Sequence, residues 1–252
     1  GDVVLSCESE HASSVLPWMR CCEETGAKME FVEMDDEGRI TLENYKKALH
    51  TNVKVVALAQ VSNVLGYINP MKEMIRLAHE IGAIVSVDAA QSAPHIKIDV
   101  KDMDCDFLSF SAHKMCGPTG VGVLYGKYEL LDKTDPSALG GGSNARFDNQ
   151  CNLILREVPY KFETGTPMIE AVLGMHAAIN YLSDLGLDNI HEYEVQLRDY
   201  AVNKLKELEN IEIYNPNADS GIIALNVKGV FAQDAASYFN ANGIAVRAGH
   251  HC

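Results

Sequence analysis

No apolar run in these 252 residues approaches the roughly 20 that a helix needs to cross a bilayer, and the amino terminus lacks a basic stretch followed by an apolar one. Positive charge is also short. Lys and Arg number 21 against 35 Asp and Glu, a net charge of −14, which argues against nucleic acid as a partner and suits a soluble protein. Seven cysteines, at 7, 21, 22, 105, 116, 151 and 252, form no even framework and no Cys-x-x-Cys pair. Neither a disulfide scaffold nor a zinc ribbon is supported, no metal is expected, and a reducing cytosol, hence a cytoplasmic chain, fits. Gly117, Gly120 and Gly122 have the wrong spacing for a dinucleotide fingerprint, so a nicotinamide enzyme is not expected. Internal repeats and low-complexity runs are lacking too. What is present is 47% hydrophobic residues, enough to bury a sizeable core in one large domain, or in a large and a small one.

Strand-like runs at Asp2 to Ser6, Met29 to Val32, Val53 to Val61, Ala83 to Val87 and Phe107 to Phe110 alternate with helical spacing at Ser14 to Thr25, Leu42 to Leu49 and Met71 to Ile81. This is an α/β pattern. Met71, Met74, Ile75 and Ala78 mark the crossover helix that makes its two flanking strands parallel neighbours. Gly120 to Tyr125 reads as a returning strand, and Asp132 to Asn149 as a polar, glycine-rich excursion. Beyond Pro167 come two long helices, Ile169 to Leu185 and Asn189 to Asn210, and then strand, helix and strand at Gly221 to Val227, Ala232 to Asn242 and Ile244 to Val246. A boundary near Leu185 divides a large domain, 1–185, from a smaller one, 186–252.

Lys114 follows the run Phe107 to Phe110, and the glycines and proline after it let the backbone turn sharply, so its amine is expected at the rim of a sheet, where α/β proteins bind ligands. Taken alone it could be a solvated surface lysine. Asp88, however, ends the preceding strand and Asn63 the one before that, which puts three polar groups on one rim. An amine for an aldehyde, a carboxylate for a pyridinium nitrogen and a neutral amide for a ring hydroxyl are the groups that pyridoxal 5'-phosphate needs. His11 could stack on that ring.

The segments Glu10-His11 through Pro17-Trp18, Val61 to Gly66, Val87 to Gln91, Ser111 to Gly122, Phe162 to Pro167 and Arg247-Ala248-Gly249-His250-His251-Cys252 resemble, in order, the group II cysteine desulfurases. These belong to the class V aminotransferase family and include selenocysteine lyases. The resemblance implies a pyridoxal-phosphate enzyme of fold type I, with a mostly parallel sheet in its large domain. It also implies that residues are missing at both ends, among them an arginine for the substrate carboxylate. It gives Lys114 the covalent cofactor and the proton transfer, Asp88 the ring nitrogen, His11 the ring face, Gln91 the ring hydroxyl and Asn63 a place beside cofactor and substrate. Ser111 and Thr166 take the phosphate, Thr166 across a homodimer; His113 neighbours the amine, and Arg247 the substrate. Gly140-Gly141-Gly142 would lie near the subunit interface, though alone it reads as a flexible turn.

His250-His251-Cys252 could be read as metal ligands, or Cys252 as a buried inert thiol. Arg247 and two imidazoles nearby instead favour a reactive thiolate. The implied reaction takes L-cysteine, with L-selenocysteine as a second substrate, to L-alanine. Sulfur is left as a persulfide on Cys252 for a small acceptor protein of iron–sulfur cluster assembly. Another enzyme of the same cofactor family (an aminotransferase, epimerase or kynureninase-like hydrolase) remains an alternative, as does an inactive chain that acts only by interaction.

Overall fold

The computed structural model describes residues 1–150, 152–249 and 251. Strands β1 (Val3–Ser6), β2 (Lys28–Phe31), β3 (Val53–Ala59), β4 (Ile84–Asp88), β5 (Phe107–Ser111) and β6 (Gly122–Gly126) form one sheet in the order β2-β1-β3-β4-β5-β6. The first five run parallel; β6 returns antiparallel to β5. Between them lie helices α1 (Ala12–Thr25), α2 (Leu42–Ala48), α3 (Met71–Glu80) and α4 (Val100–Met103). The chain thus has the expected α/β class with a mostly parallel sheet.

The two faces of the sheet are packed differently, and the difference makes room for a site. Along β4, Val85 and Val87 are fully buried while the alternate residues Ser86 and Asp88 are half-buried on the other face, as the two-residue period of a strand requires. The valines meet the dense layer made by α2 and α3. Met71, Met74, Ile75 and Ala78 form the buried stripe of α3, and the hydroxyl of the fully buried Tyr45 on α2 donates to the Met74 carbonyl at 3.0 Å. On the opposite face α1 covers only a small cluster of Val4, Cys22 and Ala57, flanked by Trp18. The polar ends of β4 and β5 open toward that thinner layer.

Helix α5 (Tyr128–Lys133) leads to an antiparallel pair, β7 (Asn144–Phe147) and β8 (Leu153–Leu155). Then α6 (Ile169–Leu185) and α7 (Leu187–Leu205) meet at Gly186, and β9 (Ile211–Ile213) pairs antiparallel with β10 (Leu225–Val227) before α8 (Ala232–Ala241). Side-chain ties between this later part and the loops of the first part include Arg39 to Asp219 at 2.7 Å, His95 to Glu194 at 2.8 Å, and Lys97 to Asp188.

Several sequence expectations need correction. Ile244 to Val246 is not a strand. Both its ends are about half exposed and, among the described residues, no strand pairs with it, so alternation alone did not suffice. The strand expected over Gly221 to Val227 is confined to Leu225–Val227, where β9 pairs with it. The polar excursion over Asp132 to Asn149 starts in the end of α5 and contains β7, and β3 stops at Ala59 rather than Val61, which instead bridges Ile68 across a turn.

Candidate functional site

Lys114 ends a single 3-10 turn, Ala112–Lys114, directly after β5. The backbone N–H groups of Met115 and Gly117 both donate to the Ala112 carbonyl at 2.9 Å, closing the chain back on the strand end. A Cβ at Gly117 would stand 2.8 Å from that carbonyl oxygen, so the turn that aims the lysine requires glycine there.

Asp88, the last residue of β4, accepts the N–H of Ala90 on Oδ1 at 2.8 Å, which steadies the carboxylate at the rim. His11 is the N-cap of α1. Its backbone is extended, and Nδ1 accepts the Ser13 N–H at 3.1 Å, so the ring is held from one side. Lys114, Asp88, His11, Ser111 and His113 all line one cavity of about 470 Å³ with Ser13, Ser14, Pro17, Trp18, Ser86, Ala90, Ser109 and Phe110. An amine, a carboxylate, two imidazoles, several hydroxyls and two aromatic rings thus converge between the thin α1 layer and the C-terminal ends of β4 and β5. This set can form an imine, hold a proton on a basic nitrogen and stack on a flat ring.

The other expected residues stand elsewhere. Asn63 lies beyond β3, and its amide donates to the His251 carbonyl at 3.0 Å. Gln91 lines a second cavity, of about 410 Å³, together with His95, Glu194 and Arg198. Thr166 is exposed in the loop before α6, and Arg247 is exposed beyond α8. His250 and Cys252 lie outside the described residues. Gly140 and Gly142 have a reason within the chain to be glycine, since a Cβ on either would stand 2.1 or 2.5 Å from the Thr164 or Glu163 carbonyl oxygen. Among the described residues, no group of three or more His, Cys, Asp or Glu is placed to hold a metal ion, and no helix is long and apolar enough to cross a membrane.

Glu10 borders the site beside His11 without lining its cavity, and its sequence position alone gave it no role. Oε1 accepts the Ala59 N–H at 2.8 Å, and Oε2 is sealed without a partner. Burial pushes the carboxyl up to about 7 against the pull of that hydrogen bond, and the charge of Asp88 pushes the same way. Trp18 was also missed as a lining residue. The signal was available: His11, Ser14 and Trp18 follow the i, i+3, i+7 spacing of one helix face.

The whole chain, residues 1–252, matches the family model for class V aminotransferases, and the chain belongs to that family. Within it, the chain is 45% identical over 252 residues to a protein of Halalkalibacterium halodurans named "Probable cysteine desulfurase", and 42% identical over 254 residues to the cysteine desulfurase of Haloferax volcanii. All of this chain is covered in both, against 62% and 59% of the relatives, so it spans about three fifths of the length of the curated relatives it matches. Among solved structures, the cysteine desulfurase CsdA from Escherichia coli superposes with a TM-score of 0.95 at 32% identity, covering 100% of this chain and 62% of that one. The apo cysteine desulfurase from Thermococcus onnurineus NA1 gives 0.91 at 37%, covering 100% and 63%.

Proposed function

We propose that this chain carries the catalytic core of a pyridoxal-phosphate-dependent cysteine desulfurase, which converts L-cysteine to L-alanine and forms a persulfide on Cys252 for iron–sulfur cluster assembly. One observation carries the reading: Lys114 and Asp88, from the ends of two neighbouring strands, line a single cavity with His11. Relatives named cysteine desulfurases support the choice among class V activities.

The donor set fits the cofactor. An aromatic aldehyde with a ring nitrogen and a phosphate asks for an amine, a carboxylate, a flat stacking partner and hydroxyl donors, and the cavity offers all four. When bound, the group would supply an electron sink for a carbanion at the substrate α-carbon. Lys114 Nζ would carry it and, once freed by the substrate amine, move the α-proton. The Asp88 oxygen not engaged by Ala90 would keep a proton on the ring nitrogen, and His11, capped from Ser13, would present its face. Ser111 and His113 would serve the phosphate and the amine, and Gln91 the ring hydroxyl. Asn63 and Arg247 would bind substrate, and Thr166 would reach a phosphate across a homodimer. The Cys252 thiolate would attack the substrate sulfur. The carbon–sulfur bond breaks, a sulfur–sulfur bond forms on Cys252, and alanine leaves after taking a proton at carbon. In this reading residues 1–185 form the large domain and 186–252 part of a small one. A small sulfur-acceptor protein receives the persulfide in the cytoplasm, and L-selenocysteine is a second substrate.

Borohydride reduction of the cofactor-loaded protein followed by peptide mapping is expected to put the pyridoxyl adduct on Lys114. L-Cysteine should then yield equal amounts of alanine and persulfide or sulfide. An adduct on another lysine, or transamination without sulfur release, would return the chain to the other class V activities. Bound cofactor with no turnover would favour the inactive, interaction-only reading.

A further inference from the structure

Glu10 joins three parts of the site. It precedes His11, the cap of α1, and its carboxyl reaches across to the last residue of β3, accepting the Ala59 N–H at 2.8 Å. The groups that face it are Asp88 at the end of β4 and Cys7 just past β1, with Glu8 and His11 next to it in the chain. Its second oxygen is sealed and unpartnered. A buried carboxylate with one N–H donor and another carboxylate nearby is a poor resident of such a place, whereas the neutral acid keeps the Ala59 bond without the charge.

We propose that Glu10 is a positioning residue: carrying its proton, it staples the first turn of α1 to the end of β3 and so sets where His11 and Trp18 stand over the cavity, and it releases that turn on ionising beside Asp88. The geometry stands by itself, and the consequence for cofactor binding rests on the function proposed above. The direction follows from the carboxyl being raised to about 7 by burial and by Asp88. The neutral, stapled form therefore prevails below that value and is lost as pH rises through it.

Trp18, the single tryptophan, lies on α1 and lines the cavity, so its fluorescence reports the helix in the cofactor-free chain. The wild-type emission should change in a step centred near the value of about 7 given for Glu10. Glu10→Gln should be flat between about pH 6 and about pH 8 and match the low-pH wild type, while Glu10→Ala should show the high-pH signal throughout. A step that persists in Glu10→Gln belongs to another group, His11 first among them, and overturns the proposal, as does a Glu10→Ala signal equal to that of wild type at low pH. Added pyridoxal 5'-phosphate gives a second readout. Its Kd, followed by absorbance, should weaken on the order of tenfold across the same range in wild type and stay constant in Glu10→Gln. A Trp18 step with no cofactor binding at any pH would sink the functional reading and leave the staple supported; tight binding without any step would sink the staple alone.

Discussion

A thiol that takes sulfur only after ring chemistry has begun can be removed without harm to the early steps. The Asn63 amide holds the His251 carbonyl at 3.0 Å, which ties the residue before Cys252 to the loop beyond β3, next to the rim that carries Lys114 and Asp88. Cys252→Ala is therefore expected to keep cofactor absorbance and its first spectral change with L-cysteine, while alanine formation falls on the order of a hundredfold, about 2.7 kcal/mol of transition-state stabilisation. Alanine assay and mass spectrometry of the persulfide check this; unchanged output would show that Cys252 is no nucleophile. At this scale the sequence was legible wherever a residue sat at a strand end or a helix cap. Lys114 and Asp88 could be brought together from periodicity because a strand end has one rim to point at, whereas Ser111 was assigned only by the family resemblance and His11 by its flat ring. Gln91 and Asn63 sit in connecting loops, whose course no periodicity predicts, and neither lines the cavity of Lys114. Glu10 was invisible for another reason: an acid beside a histidine looks solvated, and only the packing of β3 and β4 around it reveals its burial.

Elements are held at the opposite rim by charge. Asp106, just before β5, accepts the Val85 N–H at 2.7 Å, lies 2.9 Å from His79 on α3 and receives Lys127 at 2.9 Å from beyond β6, while Lys127 also meets Asp104 at 2.7 Å. This cluster fastens α3, β4, β5 and β6 together and engages Lys127 far from the rim of Lys114. Burial alone would raise the Asp106 carboxyl, but Lys127, the Val85 N–H and His79 outweigh it and hold it below the usual range. A lowered carboxyl contributes stability that is present above its unfolded value of 3.8 and is lost as pH falls through the folded one. Asp106→Asn should thus cost about 2 kcal/mol near neutral pH, less than a fully buried broken pair because Lys127 keeps Asp104. In urea titrations the gap to wild type should close in acid; a gap unchanged at low pH would mean that packing rather than charge is lost. Long elements were the readable ones. Alternation in β4 and the i, i+3, i+4, i+7 stripe of α3 each had enough residues to declare a period, whereas β9 has three residues and owes its existence to β10.

The whole molecule carries a net charge of −14, yet the start of α6 leaves several large apolar side chains uncovered. Ala171, Met175, Ala178 and Leu182 bury one face of α6, while Ile169, Val172 and Leu173 on another face are 50 to 64% exposed, beside the exposed loop of Thr166. A cluster of large apolar side chains left exposed at one end of a helix is the kind of patch that an assembly covers. The proposed homodimer supplies the cover and would bring Thr166 of each subunit toward its neighbour's site. Light scattering should find a dimer, and Ile169→Glu with Leu173→Glu should weaken association on the order of a hundredfold or more while leaving far-ultraviolet circular dichroism unchanged. Sharing of the site has a sharper test. Lys114→Ala abolishes the site of its own subunit, and Thr166→Val would weaken that of its neighbour. A dimer of one Lys114→Ala and one Thr166→Val subunit then holds one site with both native residues. Mixing the two inactive or weakened proteins through dissociation and reassociation should therefore restore alanine formation above either parent. If Thr166 acts within its own subunit, the mixed dimer has no intact site, activity stays at the mean of the parents, and the across-dimer assignment falls while the dimer itself stands.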